Sequence, residues 1–289
     1  MAVMLRCVMH HLASAIAVVL TTSALLVACD SKDQAPSATS DVASESATSE
    51  TARDSEPSDA RTKSPRAKGP PQAIDPATIG TIRGTVRFDG PAPVRKPIPI
   101  GTSGGCAHEG GDPLSQDAIV NDGRVENAFV SIKDGLDGWI VPPHSGGDAV
   151  LDQKGCMYRP HVSGMRIGQT LRILNSDEAT HNVKVSPNRN PAMNPIQPPG
   201  GAALEWKPSK RELCVVFECN LHPWMRAYVG VVDHPWFAVS DAQGAFSLAG
   251  LPPGEYVVEA WHEKWGQKSQ KVTLDAGGSA EVTLTFRPK

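Results

Sequence analysis

Aromatic side chains are scarce, with six Phe, six Trp and three Tyr in 289 residues, and no long amphipathic helical stretch appears. An architecture of packed helices is therefore excluded. An excess of one charge is missing too. From residue 76 onward the chain carries 21 basic and 22 acidic side chains, a net of −1, so it lacks the basic footprint of a nucleic-acid-binding domain. Residues 30–75 hold almost no large apolar side chain and cannot bury enough surface to offset their ordering entropy. They read as a flexible tether, acidic first and basic towards Arg61 to Lys68.

Val, Thr, Gly and Pro are plentiful, which suits short strands and turns. Arg6 precedes the uncharged run "LASAIAVVLTTSALLVA", residues 12–28, which ends at Cys29. Seventeen apolar or small residues are short for a membrane span and suit the apolar core of an export signal. The ending "LVAC" resembles a bacterial lipoprotein processing box. That resemblance implies cleavage after residue 28, lipidation of Cys29, and display on the periplasmic face of a membrane or on the cell surface.

From Thr81 short alternating segments recur between turn residues, among them "TIRGTVRF", "ENAFVSI", "TLRILNS", "ELCVVFEC", "AYVGVVD" and "GEYVVEAW". This spacing predicts an all-β, antiparallel sandwich architecture. The segment from Phe237 to Leu274, with "DAQGAF" and "GLPPGEY", resembles the carboxypeptidase regulatory-like domain, a small sandwich of the prealbumin-like kind. The opening strands of that family resemble Ile82–Val86 and Asn127–Ile132, about a hundred residues upstream of their partners. The expectation is two Greek-key sandwiches, one inserted into the other. Residues 76–146 and 234–289 would form the outer, regulatory-like sandwich and 147–233 the inner one, behind a signal at 1–28 and a tether at 29–75.

The stretch "FECNLHPWM", residues 217–225, packs a cysteine, a histidine and a methionine into seven positions. Alternation in "ELCVVFEC" puts Leu213, Val215, Phe217 and Cys219 on one face of a strand, so that Cys219 points into a core. His181 in "NSDEATHNV" lies 38 residues earlier, far enough for an adjacent strand to bring it alongside. One thiolate, two imidazoles and a thioether are the donor set of a trigonal blue-copper site. Zinc would take the cysteine and histidines but is poorly served by the thioether. A binuclear copper centre needs a second cysteine four residues before the first, whereas Cys214 lies five before. A trinuclear cluster needs H-x-H pairs, and there are none. An enzyme of either kind is excluded.

Residues 157–233 resemble a blue-copper cupredoxin, with N-x-D-x-x-x-H-N-V followed by C-x-x-H-x-x-M and a short loop similar to that of amicyanin. The resemblance implies one type 1 copper, cycling between Cu(I) and Cu(II). His181, Cys219 and His222 would be equatorial ligands and Met225 the axial one, with Asn182 tying the two ligand loops together beside the thiolate. His222, flanked by Pro223 and Trp224, would expose its ring edge through an apolar patch as the electron exit. The whole arrangement also resembles exported methylamine-utilisation or plastocyanin-like lipoproteins. It implies a lipid-anchored carrier between redox proteins such as a cytochrome c and an exported dehydrogenase.

Cys106, Cys156 and Cys214 allow three pairings in an oxidising compartment. The Gly-containing, loop-like contexts of Cys106 and Cys156 favour joining those two, leaving Cys214 a shielded thiol. His108 and His161 are expected outside the metal site, and His234, in a second "HPW", at the crossover into the last segment. Trp261 and Trp265 are expected as packing residues. Two other classes stay open at this point. One is copper delivery using Met157, Met165 and Met193, and the other is a structural module without metal.

Overall fold

The structure, a computed structural model, describes residues 69–100, 105–106 and 111–288. The export segment 1–28, Cys29, the tether up to residue 68 and His108 lie outside the described residues. Among the described residues there is no helix, and nineteen strands form five sheets.

The first strand, Gly80–Phe88, alternates strictly between buried and less buried positions, as its sequence pattern requires. It pairs antiparallel with Ala245–Leu251 and parallel with Ser279–Phe286, both from the far end of the chain. A second sheet carries Phe237–Val239, Phe129–Asp134, Gly254–His262 and Gly266–Leu274 in that order. The two sheets enclose a core around Ile82, Val86, Val130, Ile132, Phe246 and Phe286. Turn chemistry fixes the connections. The Asp241 carboxylate accepts the backbone N–H groups of Gln243 (2.9 Å) and Ala245 (2.8 Å), and Gly244 supplies the positive φ that closes the turn.

The strands between Ala149 and Val232 form separate sheets. One orders Lys184–Val185, Glu212–Glu218, Arg226–Val232 and Val162–Arg166; a second orders Leu204–Trp206, Leu171–Asn175, Ala149–Gln153 and Tyr158–Arg159; the third pairs Ile196–Gln197 with His181–Asn182. Their core holds Leu151, Met165, Ile173, Phe217, Cys219 and Met225. Ile100 and Cys106, from the stretch expected to serve only the outer sandwich, pack into this inner core.

Two expectations need correction. The ladders are not all antiparallel: Gly80–Phe88 with Ser279–Phe286, Arg226–Val232 with Val162–Arg166, and Ala149–Gln153 with Leu171–Asn175 run parallel. Parallel neighbours need long crossovers, which a chain that switches between sheets supplies. Leu213 does not share the face of Val215, Phe217 and Cys219. A β-bulge between Glu212 and Val215, with Cys214 at φ 50°, resets the alternation. Leu213 and the buried Cys214 face a third cluster with Phe129, Val162 and Val232, where the sandwiches meet. Gly164 and Gly230 make room there. A Cβ on Gly230 would run into the Phe129 ring, and one on Gly164 into Phe237.

Candidate metal centre

The strand Glu212–Glu218 delivers Cys219 into a closed turn. Met225 N–H donates to the His222 carbonyl (2.8 Å), and Cys219 N–H to the Met225 carbonyl (3.3 Å), before the chain returns as Arg226–Val232. On the facing side, Lys184–Val185 pairs with Glu218 and Phe217. The two-residue strand His181–Asn182, braced by Ile196–Gln197, is thereby set beside Cys219.

Three donor atoms converge as a result. His181 Nδ1 and His222 Nδ1 are 3.0 Å apart, and Cys219 Sγ lies 3.6 Å from His222 Nδ1 and 4.0 Å from His181 Nδ1. A point equidistant from the three sits about 2.1 Å from each, within the 2.0–2.3 Å reach of a metal bonded to imidazole nitrogen or thiolate sulfur (about the zinc values). Met225 is fully buried in the same core as Cys219. The donors, two imidazoles and a thiolate with a buried thioether on the same short turn, fit copper.

The surroundings hold this geometry. Asn182 N–H points at Cys219 Sγ (3.5 Å), and its Oδ1 accepts the Asn220 N–H (2.7 Å), joining the two ligand segments. The buried Tyr158 hydroxyl reaches the carbonyls of Glu218 (3.1 Å) and Asn182 (3.3 Å) from below. His181 Nε2 donates to Asp177 Oδ2 (2.9 Å), and the same carboxylate accepts the N–H of Cys156 (2.8 Å) and that of Gly155. Asp177 falls within the N-x-D-x-x-x-H-N-V motif, and its four-residue spacing to His181 is the sequence signal for this contact. Tyr158 carried no signal.

Charge follows from these contacts. Burial works against protonation of His181, but the Asp177 hydrogen bond and the neighbouring Cys219 outweigh it and push its pKa up to about 9. Burial would raise the Asp177 carboxyl, yet the His181, Cys156 and Gly155 hydrogen bonds hold it below the usual range. Burial likewise raises the Cys219 thiol, while His181 and nearby backbone N–H groups bring it below its ordinary value. His222 is lowered by burial and by the charge on His181. These contacts favour the charged forms of His181 and Cys219 and the neutral form of His222.

The structure joins Cys106 to Cys156, and Cys214 and Cys219 are the free cysteines among the described residues. The disulfide changes the picture of the exit. Cys106 Sγ lies 3.4 Å from His222 Nε2, so the outer edge of that half-buried ring is capped and not bare. Trp224 packs against the His222 ring (5.3 Å between centroids) and donates its indole N–H to the Cys156 carbonyl (2.9 Å). The exposed apolar side chains of the loop are Pro223 and Leu221, the latter not anticipated. His161 and His234 sit away from the centre. His161 pairs with Glu263 and the Arg226 carbonyl, and His234 bonds the Ile132 carbonyl (2.8 Å). Trp265 packs in the outer core, whereas Trp261 meets Tyr228 across the sandwich junction.

A family model of the carboxypeptidase regulatory-like domain matches residues 220–287. Part of the chain is similar to solved cupredoxins. A mutant amicyanin in its Cu(I) form is 21% identical over 30% of this chain and 85% of its own, with a TM-score of 0.27. A purple cupredoxin from Nitrosopumilus maritimus is 21% identical over 29% of this chain and 99% of its own (TM-score 0.25). A copper-containing nitrite reductase from Thermus scotoductus is 19% identical over 31% of this chain, and a quarter (25%) of its own length is covered (TM-score 0.27). Likeness at this level does not bear on function. No curated protein matches the chain.

Proposed function

We propose that the chain is an exported, membrane-tethered type 1 copper protein that carries single electrons between redox partners, such as an exported dehydrogenase and a cytochrome c. The observation that carries this reading is the convergence of His181 Nδ1, His222 Nδ1 and Cys219 Sγ within 4.0 Å of one another, where the strand His181–Asn182 meets the ligand turn. Copper bound there supplies a one-electron Cu(I)/Cu(II) couple. His181, Cys219 and His222 would hold it, with the Met225 thioether as a weaker fourth donor. Asp177 fixes the ring and tautomer of His181 by taking its Nε2 hydrogen. Asn182 and Tyr158 lock the two ligand segments to each other, so little has to rearrange around the ligands when charge changes. Exposed Leu221 and Pro223 beside the centre, on a nearly neutral domain, support docking by apolar contact. The run 12–28 and Cys29 support the tether.

Voltammetry of copper-loaded protein tests the reading. The expected result is a reversible one-electron wave, absent in Cys219→Ala and shifted to lower potential in Met225→Gln. A colourless Cu(I) complex with no reversible wave would instead identify a copper-delivery protein.

A further inference from the structure

The strand Arg226–Val232 leaves the ligand turn with Val162–Arg166 beside it, and the ladder between them starts at Tyr228 opposite Val162. Pro160 has no N–H to carry that ladder back towards Met225. His161 takes over there. Its carbonyl accepts the Tyr228 N–H (2.9 Å), and its Nδ1 faces the Arg226 carbonyl (3.1 Å), which can only accept, so Nδ1 carries a hydrogen. His161 thus grips a stretch that begins one residue after Met225. Its other ring nitrogen, Nε2, meets the Glu263 carboxylate, and the Tyr228 hydroxyl bonds the same group. Only 7% and 11% of the His161 and Glu263 side-chain surfaces are exposed, so water competes little for these bonds. Glu263 belongs to the outer sandwich, on the turn between Gly254–His262 and Gly266–Leu274. That turn is itself held in place. Lys264 N–H donates to His262 Nδ1 (3.2 Å), the buried His262 ring stacks on Trp265 (4.0 Å between centroids), and Lys264 Nζ reaches Asp117 (2.6 Å).

We propose that Glu263 is a positioning residue for the metal centre: through His161 it holds the backbone that follows Met225, so that the outer sandwich sets where the Met225 thioether sits. The inference rests on the copper reading for the role of Met225, not for the contacts themselves. On its near side Met225 is fixed inside the turn, by its N–H to the His222 carbonyl and by its carbonyl to the Cys219 N–H. On its far side the Arg226 guanidinium pairs with Glu218 (3.1 Å), but it is 54% exposed and that pair is a weak hold. The buried bonds of His161 and Glu263 supply the firm one. Reach is what the contact requires, because the carboxylate crosses from one sandwich to the other. A side chain one methylene shorter gives up the bond, whereas an amide of the same length still offers an acceptor.

Amide hydrogen exchange of the metal-free full chain tests the link without any metal. In Glu263→Asp, the Cys219, Met225 and Tyr228 amides should exchange about tenfold faster, while those of Ala149–Gln153 and Leu171–Asn175 keep the parent rates. Glu263→Gln should stay near the parent throughout. Turn amides that exchange as in the parent overturn the proposal. So does an acceleration spread evenly over both sheets, which marks a general loss of stability. With copper bound, the reduction potential should move in Glu263→Asp and stay put when the same change is made in Met225→Leu. An equal shift in both backgrounds would show that Glu263 acts by its charge and not through the thioether, and also overturns the proposal. A failed copper reading leaves the exchange pattern to decide whether Glu263 holds the turn, and a failed exchange pattern leaves the copper spectrum in place, so the two are told apart.

Discussion

Asp177 and His181 show most plainly how one side chain sets the chemistry of this centre. A metal at Nδ1 must displace the proton that Asp177 and Cys219 help to hold on the ring, at a pKa of about 9. Metal uptake should therefore release a proton, and apparent affinity should fall about tenfold for each pH unit below 9, roughly a hundredfold between pH 8 and pH 6. The metal-free fold runs the other way. Since the folded pKa of His181 lies above its unfolded value, the stability it contributes is fully present below about pH 6.5 and is lost as pH rises through about 9. In Asp177→Asn, retention of the ion should drop about 10- to 100-fold, and the pH dependence should shift to lower pH. Competition with a chelator across a pH series measures both. A flat profile in the parent protein would refute the assignment of His181 as a ligand.

At the level of strands, the ligand turn was legible because the phase of Val215, Phe217 and Cys219 is written in alternate positions. That phase places Cys219 inward whatever happens upstream. Leu213 was misplaced because a bulge costs one residue of register, and nothing in "ELCVV" signals a positive φ at Cys214. The short strands at Ala149–Gln153 and Leu204–Trp206 were passed over; both flank Leu171–Asn175. Gly230 lies on the strand leaving the ligand turn, and its missing Cβ seats Phe129 of the other sandwich. Gly230→Ala should destabilise the fold by about 1–3 kcal/mol through overpacking, read from denaturant unfolding. An unchanged midpoint would show that the junction between the sandwiches is loose.

Across the described residues, the first strand, Gly80–Phe88, pairs with the last ones in a single sandwich, and the candidate metal centre comes from the stretch of chain between them. The two regulatory-like signatures, at Asp241–Phe246 and Gly250–Tyr256, were readable because turns need particular residues at fixed offsets. The cap over His222 was not, because it depends on where a loop of the opening stretch comes to rest. The disulfide fastens that loop to the inner sandwich, and Cys156 is in turn tied to both Asp177 and Trp224. Replacing Cys106 and Cys156 together by serine should lower stability by about 2–4 kcal/mol. It should also uncover His222 Nε2, so that electron exchange with a small soluble oxidant quickens; unchanged exchange would mean the edge is not the exit. The central claim, that Cys219 is the thiolate of a copper centre, is tested most directly by the visible and EPR spectra of copper-loaded protein. An intense sulfur-to-copper charge-transfer band is predicted, lost in Cys219→Ala and kept in Cys214→Ala. Survival of that band in Cys219→Ala, or its absence from the fully loaded parent protein, would contradict the claim.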